Sequence, residues 1–141
     1  MTTTLDARGA IRYDCVTLMT NARHSLGQRG EQYAAQYLTD HGYAIRTRNW
    51  RCLVGEIDLV TEKDGALIFV EVRTRRSNRL GTPEESITPT KRAKLIAAAQ
   101  TYLDERGQTD RDWRIDIVAI EIGSHGEVKR CDLIENAIEE T

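Results

Sequence analysis

The feature that most constrains the fold is a predicted β-hairpin in the middle of the chain. Two runs rich in Ile, Val, Leu and Phe, Glu56 to Thr61 and Ala66 to Arg75, flank the pair Asp64 and Gly65. β-Branched and aromatic residues favour strands, and an Asp-Gly pair favours a tight two-residue turn. We therefore predict two antiparallel strands joined at this turn.

Counting outward from this turn places Asp58 directly opposite Glu71, and Glu56 opposite Arg73. Opposed residues share a face, with Cβ atoms about 5 Å apart. Two carboxylates at this distance repel each other, and a divalent cation compensates the repulsion. Carboxylate oxygens suit Mg²⁺ or Mn²⁺, which can activate water and neutralise a scissile phosphate. The register thus predicts a metal site at Asp58 and Glu71.

Alternation predicts that Ile57 and Leu59 lie on one face of the first strand, and Glu56 and Asp58 on the other. The alternative interpretation is an ordinary solvated face, with Glu56 and the opposed arginine forming a surface ion pair. Beside Glu71, however, the same face carries apolar residues, and carboxylates next to buried aromatics need a compensating role.

Helical patterns lie on both sides of the hairpin. One helix is predicted from Leu26 to Gly42, and a second from an N-cap at Thr88, with Pro89 at its first position, to Gly107. Further strands are predicted at Tyr43 to Arg51, Trp113 to Ile120 and Glu127 to Leu133, with a long loop at Arg76 to Ile87. The order α-β-β-β-α-β-β predicts an α/β fold, a mixed sheet with a helix on each face.

The length of 141 residues fits one domain, preceded by a poorly ordered extension over residues 1–25, in which Met19 could be the true start. A net charge of −2 means that any nucleic-acid contact must come from a local basic patch. Three widely spaced cysteines predict free thiols in a reducing cytoplasm, and we expect no membrane span.

Glu31 is a charge on the predicted inward face of the first helix, three and four residues before Ala34 and Ala35. Two interpretations stay open. It is either a first-turn acid stabilised by the helix dipole or a member of the acidic site.

The ordered combination of several segments resembles the uncharacterised YraN-like bacterial family. These segments are Gly27 to Glu31 with Ala34 and Leu38, Gly55 to Val60, Phe69 to Arg75, and Thr88, Pro89 and Lys91. That family is similar to archaeal Holliday junction resolvases and to the PD-(D/E)xK nuclease superfamily. The resemblance implies a restriction-endonuclease-like domain over residues 26–135, followed by a tail at 136–141.

By this resemblance Asp58 matches the first metal-binding acid, Glu71 the second, and Glu31 a helical acid of resolvase-like members. Arg73 stands where the superfamily usually has lysine. Lysine can polarise or deprotonate water, whereas arginine stays charged at any useful pH and can only brace phosphate charge. The resemblance therefore implies a fold without establishing an activity.

Three basic clusters flank the predicted site, and each could instead be a solvated face. The first begins the second helix, where cations oppose the helix dipole and a bound anion would resolve the conflict. The third contains a tryptophan that could stack on exposed bases. The clusters are Lys91, Arg92 and Lys94; Arg73, Arg75, Arg76 and Arg79; and Arg46, Arg48 and Arg51 with Trp50.

The sequence thus predicts a Mg²⁺- or Mn²⁺-dependent endonuclease that cuts DNA, including branched or damaged DNA if the resolvase likeness extends that far. One rival is an inactive nuclease fold that binds nucleic acid. Another is a protein-interaction domain whose acidic face docks a partner. Because a four-way junction needs two symmetric cuts, the resemblance also implies a homodimer.

Overall fold

The computed structural model describes residues 3–5, 11–13, 26–76 and 81–139. The helices are Leu26–Asp40 (α1) and Pro89–Glu105 (α2), and a short 3₁₀ turn spans Glu84–Ser86. The strands are Thr3–Leu5 (β1), Ile11–Tyr13 (β2), Ala44–Cys52 (β3), Gly55–Lys63 (β4), Ala66–Arg75 (β5), Trp113–Ile122 (β6) and Val128–Ile138 (β7).

Five strands form one mixed sheet in the order β3-β4-β5-β6-β7. Strands β5 and β6 are parallel, because α2 carries the chain back across the sheet between them, and the other neighbours are antiparallel. The predicted α/β class and mixed sheet are confirmed. Strand β7 continues to the buried Ile138, three residues into the predicted tail.

Each face of the sheet carries one helix and one hydrophobic core. On the first face α2 packs on β4, β5 and β6, with Tyr102 edge-on to Phe69 at 5.5 Å between ring centroids. On the second face α1 covers the core that contains Leu38, Val70 and Val118. The predicted helix on each face is confirmed, and the two cores hold the central strands rigid from both sides.

The predicted turn of the β4–β5 hairpin is confirmed, and so is its register between the turn and the pair Leu59 and Val70, whereas the predicted direct opposition of Asp58 and Glu71 is not part of the ladder. Asp64 and Gly65 have φ angles of 51° and 83°, as a tight hairpin turn requires. The ladder begins at the pair Lys63 and Ala66. It ends after Leu59 and Val70, so that β4 separates from β5 just before the predicted acidic pair.

The predicted alternation along β4 is wrong at one point. Ile57 lies in the core under α2, whereas Leu59 lies in the core under α1. The β3–β4 ladder pairs residues on both sides of Asn49 and Asp58 but omits that pair, and Asn49 has a left-handed φ of 52°. This local distortion changes which face Ile57 contacts, and it occurs beside Asp58.

Strands β1 and β2 pair with each other in a separate two-stranded sheet within residues 1–25. The other residues of this segment, including Cys15 and Met19, lie outside the described residues, so the extension stays a prediction. Cys52 and Cys131 are free, as predicted. No helix in the described ranges is long and apolar enough to cross a membrane.

Candidate functional site

The site is built around Asp58, where β4 turns away from β5. Its Oδ2 atom accepts a hydrogen bond of 2.8 Å from the backbone N–H of Val72. The side chain thus satisfies a strand N–H beyond the end of the ladder. The side chain also interacts with the neighbouring carboxyl groups of Glu31 and Glu71. Burial raises the pKa of Asp58, and this Val72 hydrogen bond opposes the rise.

Glu71 lies next to Asp58 and is only 4% exposed. Its Oε2 atom is buried and has no hydrogen-bond partner among residues 26–76 and 81–139, which is costly for a polar atom. The nearest cations are Lys91 Nζ, 3.7 Å from Oε2, and Arg73 Nε, 3.8 Å from Oε1. Burial, followed by repulsion from Asp58, raises the pKa of Glu71 to about 8 despite both cations.

Glu31 approaches the same centre from α1. Because α1 begins at Leu26, Glu31 lies beyond the first turn, and the first turn of this helix contains no acidic residue. Its pKa is raised to about 7, first by burial and then by repulsion from Asp58. A hydrogen bond with Asn49 opposes this shift. The geometry therefore favours a place in the acidic site over the first-turn interpretation.

Burial is the first cause that raises the pKa values of the three carboxylates Glu31, Asp58 and Glu71, and repulsion from Asp58 adds to the rise at the other two. At Asp58 itself the hydrogen bond with Glu71 acts in the opposite direction and lowers the pKa. Across residues 26–76 and 81–139, no group of three or more His, Cys, Asp or Glu side chains is arranged as a set of metal ligands. A site of two protein carboxylates is nevertheless compatible with Mg²⁺, which retains waters and takes substrate phosphate as further ligands.

The predicted opposition of Glu56 and Arg73 is wrong. Glu56 instead forms an ion pair with Arg51 on β3, at 3.2 Å. Arg73 turns toward Glu71. The physical reason is the end of the β4–β5 ladder after Leu59, since strands that have separated no longer hold side chains in opposed pairs.

The first basic cluster is divided between two surroundings. Lys91 is half-buried and turns its ammonium group toward Glu71, which supplies the anion expected near these cations. Arg92 and Lys94 are exposed on α2. The helix itself starts as predicted, because Thr88 Oγ1 accepts a 3.1 Å hydrogen bond from Lys91 N.

The second cluster, Arg73, Arg75 and Arg76, lines a cleft of about 630 Å³ between the end of β5 and the start of α1. Arg79 lies outside the described residues. In this cleft Gly30 allows α1 to approach β5, since a Cβ there would overlap the Thr74 hydroxyl. The cleft thus connects Arg73, which is near Glu71, with two further arginines, and a nucleic-acid contact there stays a prediction.

The third cluster is not a single surface. Arg46 pairs with Glu62, whereas Arg48 lines a small polar pocket of about 180 Å³ together with Glu31 and Asn49. The Trp50 ring packs edge-on to Tyr102, with centroids 5.2 Å apart, and contacts the core under α2. A base-stacking role for Trp50 stays a prediction and is limited to its remaining exposed surface.

Sequence reasoning missed three residues near the site. Asn49 has a left-handed φ, and the residue type is a weak indication of this, because asparagine tolerates that conformation better than most residues. Leu53 and Val54 form the exposed tip of the β3–β4 hairpin, and the sequence offered no turn residue to mark it. Only the folded structure brings Asn49 beside α1 and the hairpin tip beside α2.

Comparison with known proteins gives one consistent family. Residues 30–120 match the model of the Uncharacterised protein family UPF0102. A UPF0102 protein of Roseiflexus castenholzii is 46% identical over 123 residues, covering 86% of this chain and 99% of that protein. One of Symbiobacterium thermophilum is 46% identical over 112 residues, covering 79% and 94%.

A third relative, the UPF0102 protein of Moorella thermoacetica, is 43% identical over 119 residues, covering 84% of this chain and 99% of its own length. The matched region contains Glu31, Asp58, Glu71 and Lys91. These matches confirm the resemblance to an uncharacterised bacterial family that the sequence suggested. The chain belongs to the uncharacterised protein family UPF0102.

Proposed function

We propose that this protein is a Mg²⁺- or Mn²⁺-dependent endonuclease that hydrolyses phosphodiester bonds of DNA in the cytoplasm, on a restriction-endonuclease-like core. The observation that carries the proposal is the Glu71 carboxylate. It is buried beside Asp58 with one oxygen unpartnered, although two cations stand within 4 Å of it. A buried acid whose pKa is raised beside another acid is typical of functional sites.

The residues present fit a divalent cation. Asp58 and Glu71 would hold it, because both are carboxylates and Glu71 Oε2 has no hydrogen-bond partner among the described residues. When bound, the ion supplies Lewis-acid chemistry and neutralises phosphate charge. It would also remove the repulsion that now raises the pKa values of the acidic cluster.

The remaining site residues orient the substrate. Lys91 and Arg73 place positive charge on either side of Glu71, where a phosphate entering the site would need it. Arg73 holds charge but moves no proton, since a guanidinium stays protonated. Glu31 is a third carboxylate at the same centre, and burial is the first cause that raises its pKa to about 7 in the metal-free protein.

The departure at Arg73 favours a second candidate, a nuclease fold that binds nucleic acid without cutting it. In that case the cations around the site would bind phosphate, and the acids would set the orientation of the bound nucleic acid. A third candidate, a protein-interaction domain, would use the same acidic surface without nucleic acid. Metal binding supports the first candidate over the third, and cleavage separates the first from the second.

A cleavage assay on linear, nicked, flapped and four-way DNA with Mg²⁺ or Mn²⁺ tests the proposal. We expect cleavage that Asp58→Ala or Glu71→Gln lowers by at least about 100-fold, because each removes a ligand. Glu62→Gln is the matched control, since Glu62 is an acid on β4 that pairs with Arg46 and Arg111. Cutting that is equal in all four proteins would come from a contaminant and refute the assignment.

The oligomeric state is a separate part of the proposal. A homodimer would present two such sites to the two strands of a branched substrate. Sedimentation with and without a four-way junction measures this directly. A single protomer bound to each junction would remove the dimer from the proposal and leave the chemistry of the site untouched.

A further inference from the structure

The two hairpins that share β4 have turns of opposite character. Asp64 and Gly65 connect β4 to β5 and both have positive φ, which is the usual chemistry of a two-residue turn. The β3–β4 turn also has two residues, because Cys52 pairs with Gly55 across it. Those two residues are Leu53 and Val54, and neither has a positive φ.

Leu53 and Val54 are therefore apolar residues in a position where turn residues are normally polar or glycine. Leu53 is fully exposed and Val54 is largely exposed. Two adjacent apolar side chains in water gain nothing for folding, since burial is what stabilises them. A departure from local rules that the fold does not reward is expected at functional positions.

The tip is held firmly in place. The Cys52 thiol donates a 3.4 Å hydrogen bond to the Gly55 carbonyl across the turn. A Cβ atom on Gly55 would lie 3.3 Å from the Lys94 carbonyl oxygen and 3.8 Å from the Ala98 Cβ, so this end of the hairpin packs closely on α2. The exposed side chains thus project from a rigid support.

Between the tip and α2 lies an open cleft of about 430 Å³ whose lining includes Arg51, Glu56, Lys91 and Lys94 as well as the tip. Lys91 also reaches the acidic site, with its Nζ atom 3.7 Å from Glu71 Oε2. Lys91 therefore stands between the cleft and the acidic site, and three of the four charged side chains that line the cleft are cationic.

We propose that the hairpin tip is a nucleic-acid contact in which Leu53, supported by Val54, packs against the face of a base at a point where base stacking is interrupted. The inference rests on the proposed function and specifies its substrate class. Cations along the cleft attract the phosphate backbone, but leucine and valine cannot contact phosphate favourably. Base faces are the apolar surface that a nucleic acid offers.

Apolar wedges of this kind insert between base steps and partly unstack them. Unstacking costs least where a nick, flap, branch or unpaired base has already interrupted the helix. The tip should therefore make the protein prefer interrupted DNA over continuous duplex. A protein or second copy of the chain docking on the tip would require no such preference.

The test compares wild type with the double variant Leu53→Ser/Val54→Ser, using a flapped oligonucleotide and its continuous duplex, in buffer with Ca²⁺ in place of Mg²⁺. We expect the wild type to bind the flap more tightly. The variant should lose on the order of tenfold in affinity for the flap and little for the duplex. With 2-aminopurine at the branch point, wild type should increase its fluorescence and the variant should not.

Two controls accompany the test. Tyr33→Ser removes a different exposed hydrophobic side chain, which lies on α1 and thus on the opposite face of the sheet. It should change neither the flap preference nor the fluorescence. Leu53→Met keeps an apolar tip and should retain the flap preference and the fluorescence change. Neither position belongs to a buried core cluster, and circular dichroism checks that both variants keep the fold.

Equal binding and fluorescence in wild type and the double variant, with cleavage intact, would overturn the tip assignment and spare the proposed function. A wild type that binds neither DNA would overturn both. If the double variant binds DNA normally but loses self-association in sedimentation, the tip is a contact between copies, which also overturns the proposal.

Discussion

Two buried acids on neighbouring strands, Asp116 on β6 and Glu71 on β5, have opposite surroundings. Asp116 is fully buried and completely engaged. Arg114 contacts both of its oxygens, at 3.0 and 3.3 Å, and the backbone N–H of Asn136 donates to Oδ1 at 2.8 Å. The Tyr43 hydroxyl donates to Oδ2 at 3.4 Å.

Glu71 lies on the strand next to that of Asp116, one residue after Val70, which pairs with Asp116 in the parallel ladder. Its cations stand at 3.7 and 3.8 Å, beyond good hydrogen-bond distance, and Oε2 has no hydrogen-bond partner within the part of the chain that the structure describes. The fold thus supplies hydrogen bonds to both oxygens of Asp116, whereas it leaves Glu71 Oε2 without one among the described residues. A complete buried network stabilises the fold, whereas a buried polar atom without a hydrogen-bond partner needs another explanation, and the proposed metal ion would supply one.

Removing Asp116 should cause the greatest loss of stability. In Asp116→Ala, Arg114 and the Asn136 N–H lose their acceptor in a buried place, which costs about 3–5 kcal/mol. Urea unfolding followed by circular dichroism measures the change. Asp116→Asn should lose less, because the amide oxygen keeps one acceptor. A loss below about 1 kcal/mol in the alanine variant would show that the network is dispensable.

At Glu71 the pH dependence should run in the direction set by a raised pKa. The folded-state pKa is about 8, against 4.5 in the unfolded chain, so the folded state holds the proton more tightly. The associated stability is complete below about pH 4.5 and is lost as the pH rises through about 8. We expect wild type to lose on the order of 2 kcal/mol between pH 5 and 8.5.

Glu71→Gln cannot ionise, so its unfolding free energy should vary less over this range, and at pH 8.5 it should equal or exceed that of wild type. Urea titrations at the two pH values, in metal-free buffer, give the comparison. Parallel pH profiles for the two proteins would mean that Glu71 is not the group that titrates.

A divalent metal ion should stabilise the folded protein by binding at Asp58 and Glu71, and not at Asp116. At ten times the dissociation constant, bound Mn²⁺ raises the unfolding free energy by about 1.4 kcal/mol. We expect this gain at pH 8 in wild type and its loss in Glu71→Gln and Asp58→Ala. Thermal unfolding with and without Mn²⁺ measures it. An equal gain in all three proteins would place the metal elsewhere.

Local chemistry made much of the fold predictable. The turn at Asp64 and Gly65 and the helix start at Thr88 each depend on a few neighbouring residues, and both are confirmed. The pairing of β5 with β6 followed from a helical crossover between them. The turn also fixes the hairpin register as far as Leu59 and Val70, and the next residues of the two strands are Asp58 and Glu71.

The features that could not be predicted depend on where strands separate and on contacts distant in sequence. The end of the β4–β5 ladder redirects Glu56 to Arg51, and no local pattern marks that point. The engagement of Asp116 requires Tyr43 and Asn136, which lie 73 and 20 residues away. Such contacts arise only when α1, β6 and β7 have packed.

The last prediction applies the same substitution to the arginine beside each acid. Arg114 contacts Asp116 through two nitrogens and also donates to the Tyr43 hydroxyl at 3.2 Å, a geometry that lysine cannot reproduce. Arg114→Lys should therefore cost about 1–2 kcal/mol. Arg73 makes only a 3.8 Å charge contact with Glu71, so Arg73→Lys should change stability by less than about 0.5 kcal/mol.

The same reasoning predicts the effect of Arg73 on cleavage. If Arg73 contributes charge without directed hydrogen bonds, an ammonium group can replace it, and Arg73→Lys should retain or increase DNA cleavage, whereas Arg73→Ala should lower it. Single-turnover cleavage with Mn²⁺ measures both variants. A lysine variant as impaired as the alanine variant would mean that the guanidinium shape matters, and Arg73 would then resemble Arg114 in making directed bonds, with the substrate as its partner.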